Sequence, residues 1–263
     1  MNLKQIRSSY CQHGFAKFTG FSGDKEIAQL TETLMRFHRN WCVANLELYQ
    51  QGAVNSAYLT GTQHLTLAER SVLFDFIGSH KVMELVQALP LLKPAFMNTQ
   101  LFFDPVNGAQ SNYWHRDPQY HLNLQQQRQA LSGPEVIHLR LALKDELGIE
   151  LVPGSHRNWD NDEELAVRQQ VGGRSNSEPL STGLSLPLQR GDLLIFSANM
   201  IHRGLYGNQR LGFDMLFCEA LPELLKFADA NCLPSEAHLQ QLQAPMAFLN
   251  TLNVKGRGDC KPD

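Results

Sequence analysis

Apolar positions fall into two regimes along the chain. In the N-terminal part they recur at helical spacing: Ile27, Leu30, Leu34 and Phe37 follow the turn Phe21-Ser22-Gly23-Asp24 and form one stripe, which predicts an amphipathic helix. A second helix is predicted after Thr66. Thr66 and Glu69 stand three apart just before Val72, Leu73, Phe76 and Ile77, so each side chain can take up an orphan N–H of the first turn. A third amphipathic piece, Lys81 to Leu89, ends at Pro90. The pattern then changes to short segments of period two or continuous apolarity: Phe96 to Phe103, Val136 to Leu143, Ile149 to Val152, Leu184 to Leu188, Asp192 to Phe196 and Leu211 to Cys218. Val136 to Leu143 alternates best, with Ile137, Leu139, Leu141 and Leu143 on one face and His138 and Arg140 on the other. The first face is expected in the core, while the second is free to line something.

Helices first and strands later predict an α+β or mainly β fold, barrel-like with a helical flank. Two polar stretches, Gln125 to Pro134 and Asn158 to Thr182, are long enough to be lids or surface insertions rather than tight turns. The 263 residues show no internal repeat and no linker rich in Pro, Gly or Ser, so one domain is expected. With 43% hydrophobic and 19% charged residues the composition is that of an ordinary soluble domain. A formal net charge of −3 gives no basic footprint for nucleic acid or an anionic membrane. No segment reaches the roughly 18 uninterrupted apolar residues of a membrane span, and residues 1–30 carry no signal-peptide apolar core, so a cytoplasmic protein is expected. Five cysteines (Cys11, Cys42, Cys218, Cys232, Cys260) are scattered without a CxxC pair, which predicts free thiols. Ten histidines remain to be explained.

The most informative string is Ser111-Asn-Tyr-Trp-His-Arg-Asp-Pro-Gln-Tyr-His121. If Trp114 to Asp117 is extended, His115 and Asp117 at i and i+2 point to one side and could chelate one ion, with Pro118 ending the strand. HxD alone is a weak signal, equally at home in a surface turn. A third ligand candidate is His202, which follows the apolar strand of Gly191-Asp-Leu-Leu-Ile-Phe196 and precedes Gly204. Two histidines and one carboxylate leave three positions of an octahedral metal open, the arrangement of non-haem Fe(II) oxygenases, whereas structural zinc fills all four of its positions with protein ligands. Eight residues further on, Arg210 opens the strand Leu211-Gly-Phe-Asp-Met-Leu-Phe217 and could hold a carboxylate by two parallel hydrogen bonds.

In these elements the sequence resembles the phytanoyl-CoA dioxygenase family of Fe(II)- and 2-oxoglutarate-dependent oxygenases. Tyr10-Cys-Gln-His-Gly-Phe15 resembles its opening element, Tyr113-Trp-His-Arg-Asp117 its HxD element and Val152-Pro-Gly-Ser-His156 its PGSH element. Gly191 to His202 resembles the strand that carries the distal histidine, with Asn208 and Arg210 where the family has Asn and an arginine. Four motifs in order are far more specific than any one. The resemblance implies a double-stranded β-helix (jelly-roll, cupin-like) core, with residues 1–95 as a helical flank and first strands, 96–220 as the core and 221–263 as a C-terminal helical segment and tail. It implies Fe(II) held by His115, Asp117 and His202, and 2-oxoglutarate and O2 as cosubstrates, with Arg210 on the distal carboxylate. The implied reaction is hydroxylation of a small-molecule metabolite with release of succinate and CO2. Halogenating relatives lack the carboxylate present here as Asp117, which disfavours halogenation.

Two departures bear on the site: the interval from His202 to Arg210 is short for the family, and Arg140 stands where relatives often place an aromatic residue, making it a second arginine candidate beside the cosubstrate. Gln100, on the strand before HxD, is a further candidate contact. His121 and His138 are expected to be hydrogen-bonded non-ligands, and His156 to have a structural or substrate-side role. Trp114 and Tyr113 are candidates for the pocket wall or for core packing. Arg116, Arg157 and Arg203 could meet an anionic group or be solvated charges. Two other classes remain in view. One is a barrel metal hydrolase or isomerase, although Tyr113 replaces the first histidine of one common hydrolase pattern. The other is a non-catalytic protein that binds the metal and 2-oxoglutarate.

Overall fold

The computed structural model describes residues 2–258, so Cys260 lies outside the described residues. Every segment with strand patterning forms a strand, with ends displaced by at most three residues. In chain order the strands are β1 (Phe15–Phe18), β2 (Asn55–Ala57), β3 (Pro94–Phe103), β4 (Val136–Ala142), β5 (Glu146–Leu151), β6 (Leu184–Leu188), β7 (Leu193–Ser197), β8 (His202–Gly204) and β9 (Leu211–Glu219). They form two antiparallel sheets, a larger one in the order β1-β7-β4-β9-β3-β2 and a smaller one in the order β6-β5-β8. A bridge between His115 and His202 adds the HxD segment to the open edge of β8. The edge strands β1 and β2, only four and three residues long, carry no alternation the sequence would reveal.

The helical flank comprises α1 (Leu3–His13), α2 (Asp24–Ala44), α3 (Leu46–Gln50), α4 (Leu67–Ile77) and α5 (His80–Ala88). Thr66 caps α4 as expected: its hydroxyl accepts from the Glu69 N–H, and Glu69 accepts from the Thr66 N–H at 2.8 Å. Ile27, Leu30, Leu34 and Phe37 of α2, with apolar residues of α1, α4 and α5, cover one face of the larger sheet, including Ile137, Leu139, Leu141, Phe213 and Phe217. Its other face meets the smaller sheet through Ala142, Leu194 and Phe196 against Ile149, Leu151 and Leu188.

This packing decides where the polar face of β4 goes. Burial of Ile137, Leu139 and Leu141 under the helices is worth about 1.5–3 kcal/mol for each side chain. A one-residue slip would put His138 and Arg140 into that apolar layer instead. The register therefore sends both polar side chains between the sheets.

The two polar stretches carry short helices of their own. The first contains α6 (Leu124–Ala130), capped by Asn123, and the second α7 (Asp162–Arg168), capped by Asn161. C-terminal to β9 lie α8 (Pro222–Leu225), α9 (Glu236–Leu239) and α10 (Met246–Gly258). Among the described residues no helix is long and apolar enough to cross a membrane.

Candidate active site

The two motif histidines are neighbours because their backbones pair. His115 N–H donates to the His202 carbonyl at 3.0 Å and His202 N–H to the His115 carbonyl at 2.9 Å, the closed pair of an antiparallel ladder. Their rings lie 4.3 Å apart between centroids. In each, Nδ1 faces the carbonyl two residues earlier, Tyr113 O at 3.1 Å and Met200 O at 3.0 Å. A proton on Nδ1 satisfies those carbonyls and leaves the Nε2 lone pairs free. Both Nε2 atoms then sit 3.6 Å from the same oxygen, Asp117 Oδ1. One corner differs from the extended reading: Arg116 is extended, but Asp117 begins the 3-10 turn Asp117–Tyr120 with Pro118 inside it. The turn still delivers the carboxylate, because its N–H is tied to Ala198 O at 3.1 Å. The ligand atoms of His115, Asp117 and His202 all lie within 4.8 Å of one another, a group that could hold a metal ion.

The electrostatics follow from burial and mutual contact. Burial pushes His115 down, and pushes His202 down to about 3 with His115 adding to the effect. Burial alone would raise Asp117, but His138, His202 and His115 outweigh it and hold the carboxyl well below the usual range. Neutral imidazoles beside a carboxylate are the states a divalent metal requires.

Two residues along β4 from His138, roughly 7 Å, lies a second cluster. Arg140 donates from Nη2 to Glu146 Oε2 at 2.5 Å, and Arg210 Nε stands 3.5 Å from the same oxygen. Both guanidinium carbons lie over the Phe102 ring, at 4.8 and 5.3 Å. Two cations thus share one buried carboxylate. Arg140 Nε, Arg210 Nε and Glu146 Oε1 have no hydrogen-bond partner, and Arg210 is only 3% exposed. Burial, reinforced by Arg140, pushes the Arg210 guanidinium down to about 9.

Gly204 makes the room. A Cβ there would fall 2.3 Å from Arg210 Nη2, and Gly204 lies two residues from His202 on the same face of β8. Asn208 and Gln209, both in the left-handed region at φ 62° and 56°, form the short turn that brings Arg210 back to the sheet. Asp104 braces that turn by accepting from the N–H groups of Gly207 and Arg210 at 2.7 and 3.0 Å.

The remaining candidates separate. Gln100 shares a sheet row with Asp214 and Arg140, and its side-chain carbonyl accepts from Asn55 at 3.2 Å. His138 is hydrogen-bonded, to Asp117 Oδ2 at 2.8 Å and Asp214 Oδ2 at 2.6 Å. Burial would lower it, but those two carboxylates hold it up to about 10. His121 packs beside Phe227, and His156 packs on Gly14. Trp114 is buried, donating to Glu178 O at 2.8 Å, while Tyr113 lies at the rim with its hydroxyl 2.7 Å from that of Tyr120. Arg116 and Arg203 are engaged, with Asp160 and Glu150 respectively, and Arg157 is exposed.

The sequence profile of the phytanoyl-CoA dioxygenase family matches residues 10–206. The chain belongs to that family. Among curated proteins none matches it in sequence. Solved structures of similar fold include AviO1 from Streptomyces viridochromogenes Tue57 (18% identity, TM-score 0.57, covering 83% of this chain and 95% of that one). A second is the epimerase SnoN of nogalamycin biosynthesis with Fe3+, α-ketoglutarate and nogalamycin RO (15% identity, TM-score 0.52, 83% and 84%). A third is EctD from S. alaskensis with 2-oxoglutarate and 5-hydroxyectoine (11% identity, TM-score 0.59, 86% and 83%).

Iron and 2-oxoglutarate are the cofactors of the phytanoyl-CoA dioxygenase family, and the chain's residues fit both. Two imidazole nitrogens and one carboxylate oxygen converge, with no cysteine in the group among the described residues, which suits Fe(II). The surplus guanidinium with an unpartnered N–H suits a carboxylate.

Sequence reasoning passed over Glu146 and Asp214 and set His138 aside as a non-ligand. Asp214 had a signal: it is the one acid inside the otherwise apolar strand Leu211–Phe217.

Proposed function

We propose that this protein is an Fe(II)- and 2-oxoglutarate-dependent hydroxylase of a small molecule, built on a double-stranded β-helix. The observation that carries the reading is the pairing of a converging His115, Asp117 and His202 with a buried, under-satisfied Arg210 that packs against Gly204 of β8. The larger sheet holds β7-β4-β9-β3 side by side and the smaller holds β6-β5-β8 with the HxD bridge, two facing four-membered layers as a β-helix requires.

In this reading His115, Asp117 and His202 hold iron, and Arg210 holds the distal carboxylate of 2-oxoglutarate. Bound there, iron supplies the redox chemistry that couples dioxygen to oxidative decarboxylation of 2-oxoglutarate, giving succinate and CO2. Arg210 supplies two N–H donors in one plane and fixes the cosubstrate in one orientation. Arg140 is turned onto Glu146, so it contributes positive field and lets Glu146 steady the Arg210 side chain. Phe102 covers both guanidiniums and excludes water from the clamp. Tyr113 and Tyr120 stand beside His115, at 5.2 and 5.6 Å between rings, where a substrate would approach.

Fold neighbours include an epimerase and a carbocyclase, so the product decides whether oxidation ends in hydroxylation. Purified protein given Fe(II), 2-oxoglutarate and O2 should release succinate, faster with the true substrate, which should gain one oxygen atom. Asp117→Ala should abolish both signals. Oxygen-independent turnover would instead establish the hydrolase or isomerase reading. Wild-type protein that never forms succinate would leave the non-catalytic one.

A further inference from the structure

Asp117 has two carboxylate oxygens, and the fold treats them differently. Oδ1 faces the Nε2 atoms of His115 and His202, while Oδ2 accepts from His138 Nε2 at 2.8 Å. His138 is itself fixed. Its Nδ1 lies 2.6 Å from Asp214 Oδ2, and its ring stacks on Phe196 at 4.5 Å with 10° between planes. Asp214 is fully buried, in the middle of β9. Its other oxygen has no partner. A buried carboxylate with one unmet oxygen is a poor way to stabilise a strand whose neighbouring residues, Phe213 and Met215, are apolar. The chain of contacts has a clear end instead, the orientation of Asp117.

We propose that His138, held by Asp214, is a positioning residue that turns Asp117 so that Oδ1 alone faces the metal. The proposal rests on the iron site proposed above. A carboxylate free to rotate can bind a cation through one oxygen or both. Taking both would use a coordination position needed by the 2-oxo acid or by dioxygen, since an octahedral ion held by three protein atoms keeps three positions open. Tying Oδ2 to His138 removes that choice before any ligand arrives. Partners of this kind behind a metal ligand typically alter affinity by about 10–100-fold.

The test uses the full chain without metal, titrated anaerobically with Fe(II) for affinity and with Co(II) for its visible spectrum, which reports coordination number. His138→Ala is expected to weaken Fe(II) binding by about 10–100-fold and to change the Co(II) spectrum. His138→Gln, whose amide can still donate to Asp117, should recover most of the loss. Equal affinities and superimposable spectra for wild type and His138→Ala would overturn the proposal. So would equal impairment of the Ala and Gln variants, which would make the effect one of packing. Should His138→Ala fail to fold, Asp214→Ala against Asp214→Asn asks the same question: Asn keeps an acceptor for the ring and should bind like wild type, and parity of the two overturns the proposal. If wild-type protein binds neither ion in a manner lost in Asp117→Ala, the iron site itself fails, which is a separate outcome.

Discussion

Two places in this molecule bury a pair of arginines on a single carboxylate. Beneath the loop after PGSH, Arg116 and Arg168 share Asp160, which is within 3.0 Å of Nε and Nη2 of the first and 2.8 Å from Nε of the second. Near the proposed metal site, Arg140 and Arg210 share Glu146. The inventories look alike, but the surroundings differ. Arg116 also donates to the carbonyls of Ser155, Asn158 and Asn199, and Arg168 to the side-chain oxygens of Gln119 and Gln127. Only Arg168 Nη2 falls outside hydrogen-bond geometry, and it still lies 2.7 Å from Asp160. Around Glu146 both Nε atoms and one carboxylate oxygen are unmet. A satisfied cluster holds a loop; the one with unmet donors is the cluster proposed above to receive a carboxylate.

The widest split between the two should appear when each is broken. Asp160→Ala strands two guanidiniums in the interior and should destabilise the protein by about 3–5 kcal/mol, read from urea unfolding. Arg210→Met removes a buried cation that lacks a full partner, so stability should hold steady or rise. Its loss should show elsewhere: 2-oxoglutarate at about 100 times its Kd should stabilise the wild type by about 2.7 kcal/mol and Arg210→Met hardly at all. A large stability loss in Arg210→Met would erase the distinction.

The sequence made one side of this comparison partly visible. Arg210 was legible because it follows His202 at the head of a strand, and Arg140 because the alternation of β4 set it opposite Ile137, Leu139 and Leu141. The proposed metal ligands were legible as motif residues, His115 and Asp117 in the HxD string and His202 after an apolar strand. Glu146 was not, since in Leu143-Lys-Asp-Glu-Leu-Gly148 it looks like any turn acid. Its burial comes with Arg140, six residues earlier, and Arg210, distant in sequence but placed beside the end of β4 by the pairing of β9. The scaffold cluster was hidden more completely, because Arg116 meets Asp160 and Arg168 only once the second polar stretch folds back beside it. Short or polar elements such as β1, β2, α6 and the turn that starts at Asp117 depend on such contacts rather than on periodicity.

A smaller perturbation sharpens the functional side alone. Gly204→Ala adds a methyl group where the Arg210 guanidinium lies, 2.3 Å from Nη2, without demanding an unusual backbone angle. The side chain must shift, and a displaced clamp should raise the KM for 2-oxoglutarate by about tenfold, equivalent to about 1.4 kcal/mol, with little change in Fe(II) affinity. Unchanged KM would mean that Arg210 is not where the cosubstrate binds.

His156 sets the limit of the rule. Both of its ring nitrogens are buried without partners, yet it sits against Gly14 rather than beside the proposed metal site. The difference is charge. Burial first, then the nearby Arg157, push its pKa down to about 4, so the folded protein keeps it neutral and it calls for no counter-ion. Arg210 near pH 7 is charged and does call for one. The sign of the pH effect follows. Between the ordinary histidine value of about 6.5 and about 4, the unfolded chain binds a proton that folded His156 refuses, so its contribution to stability is full above that window and is lost as pH falls through it. His156→Leu, measured by the urea midpoint against pH, should therefore show a shallower acid decline than wild type across that window and a parallel curve above it. Parallel curves throughout would mean that folded His156 takes up its proton as readily as the unfolded chain, and that unmet nitrogens there carry the same demand for a partner as those around Glu146.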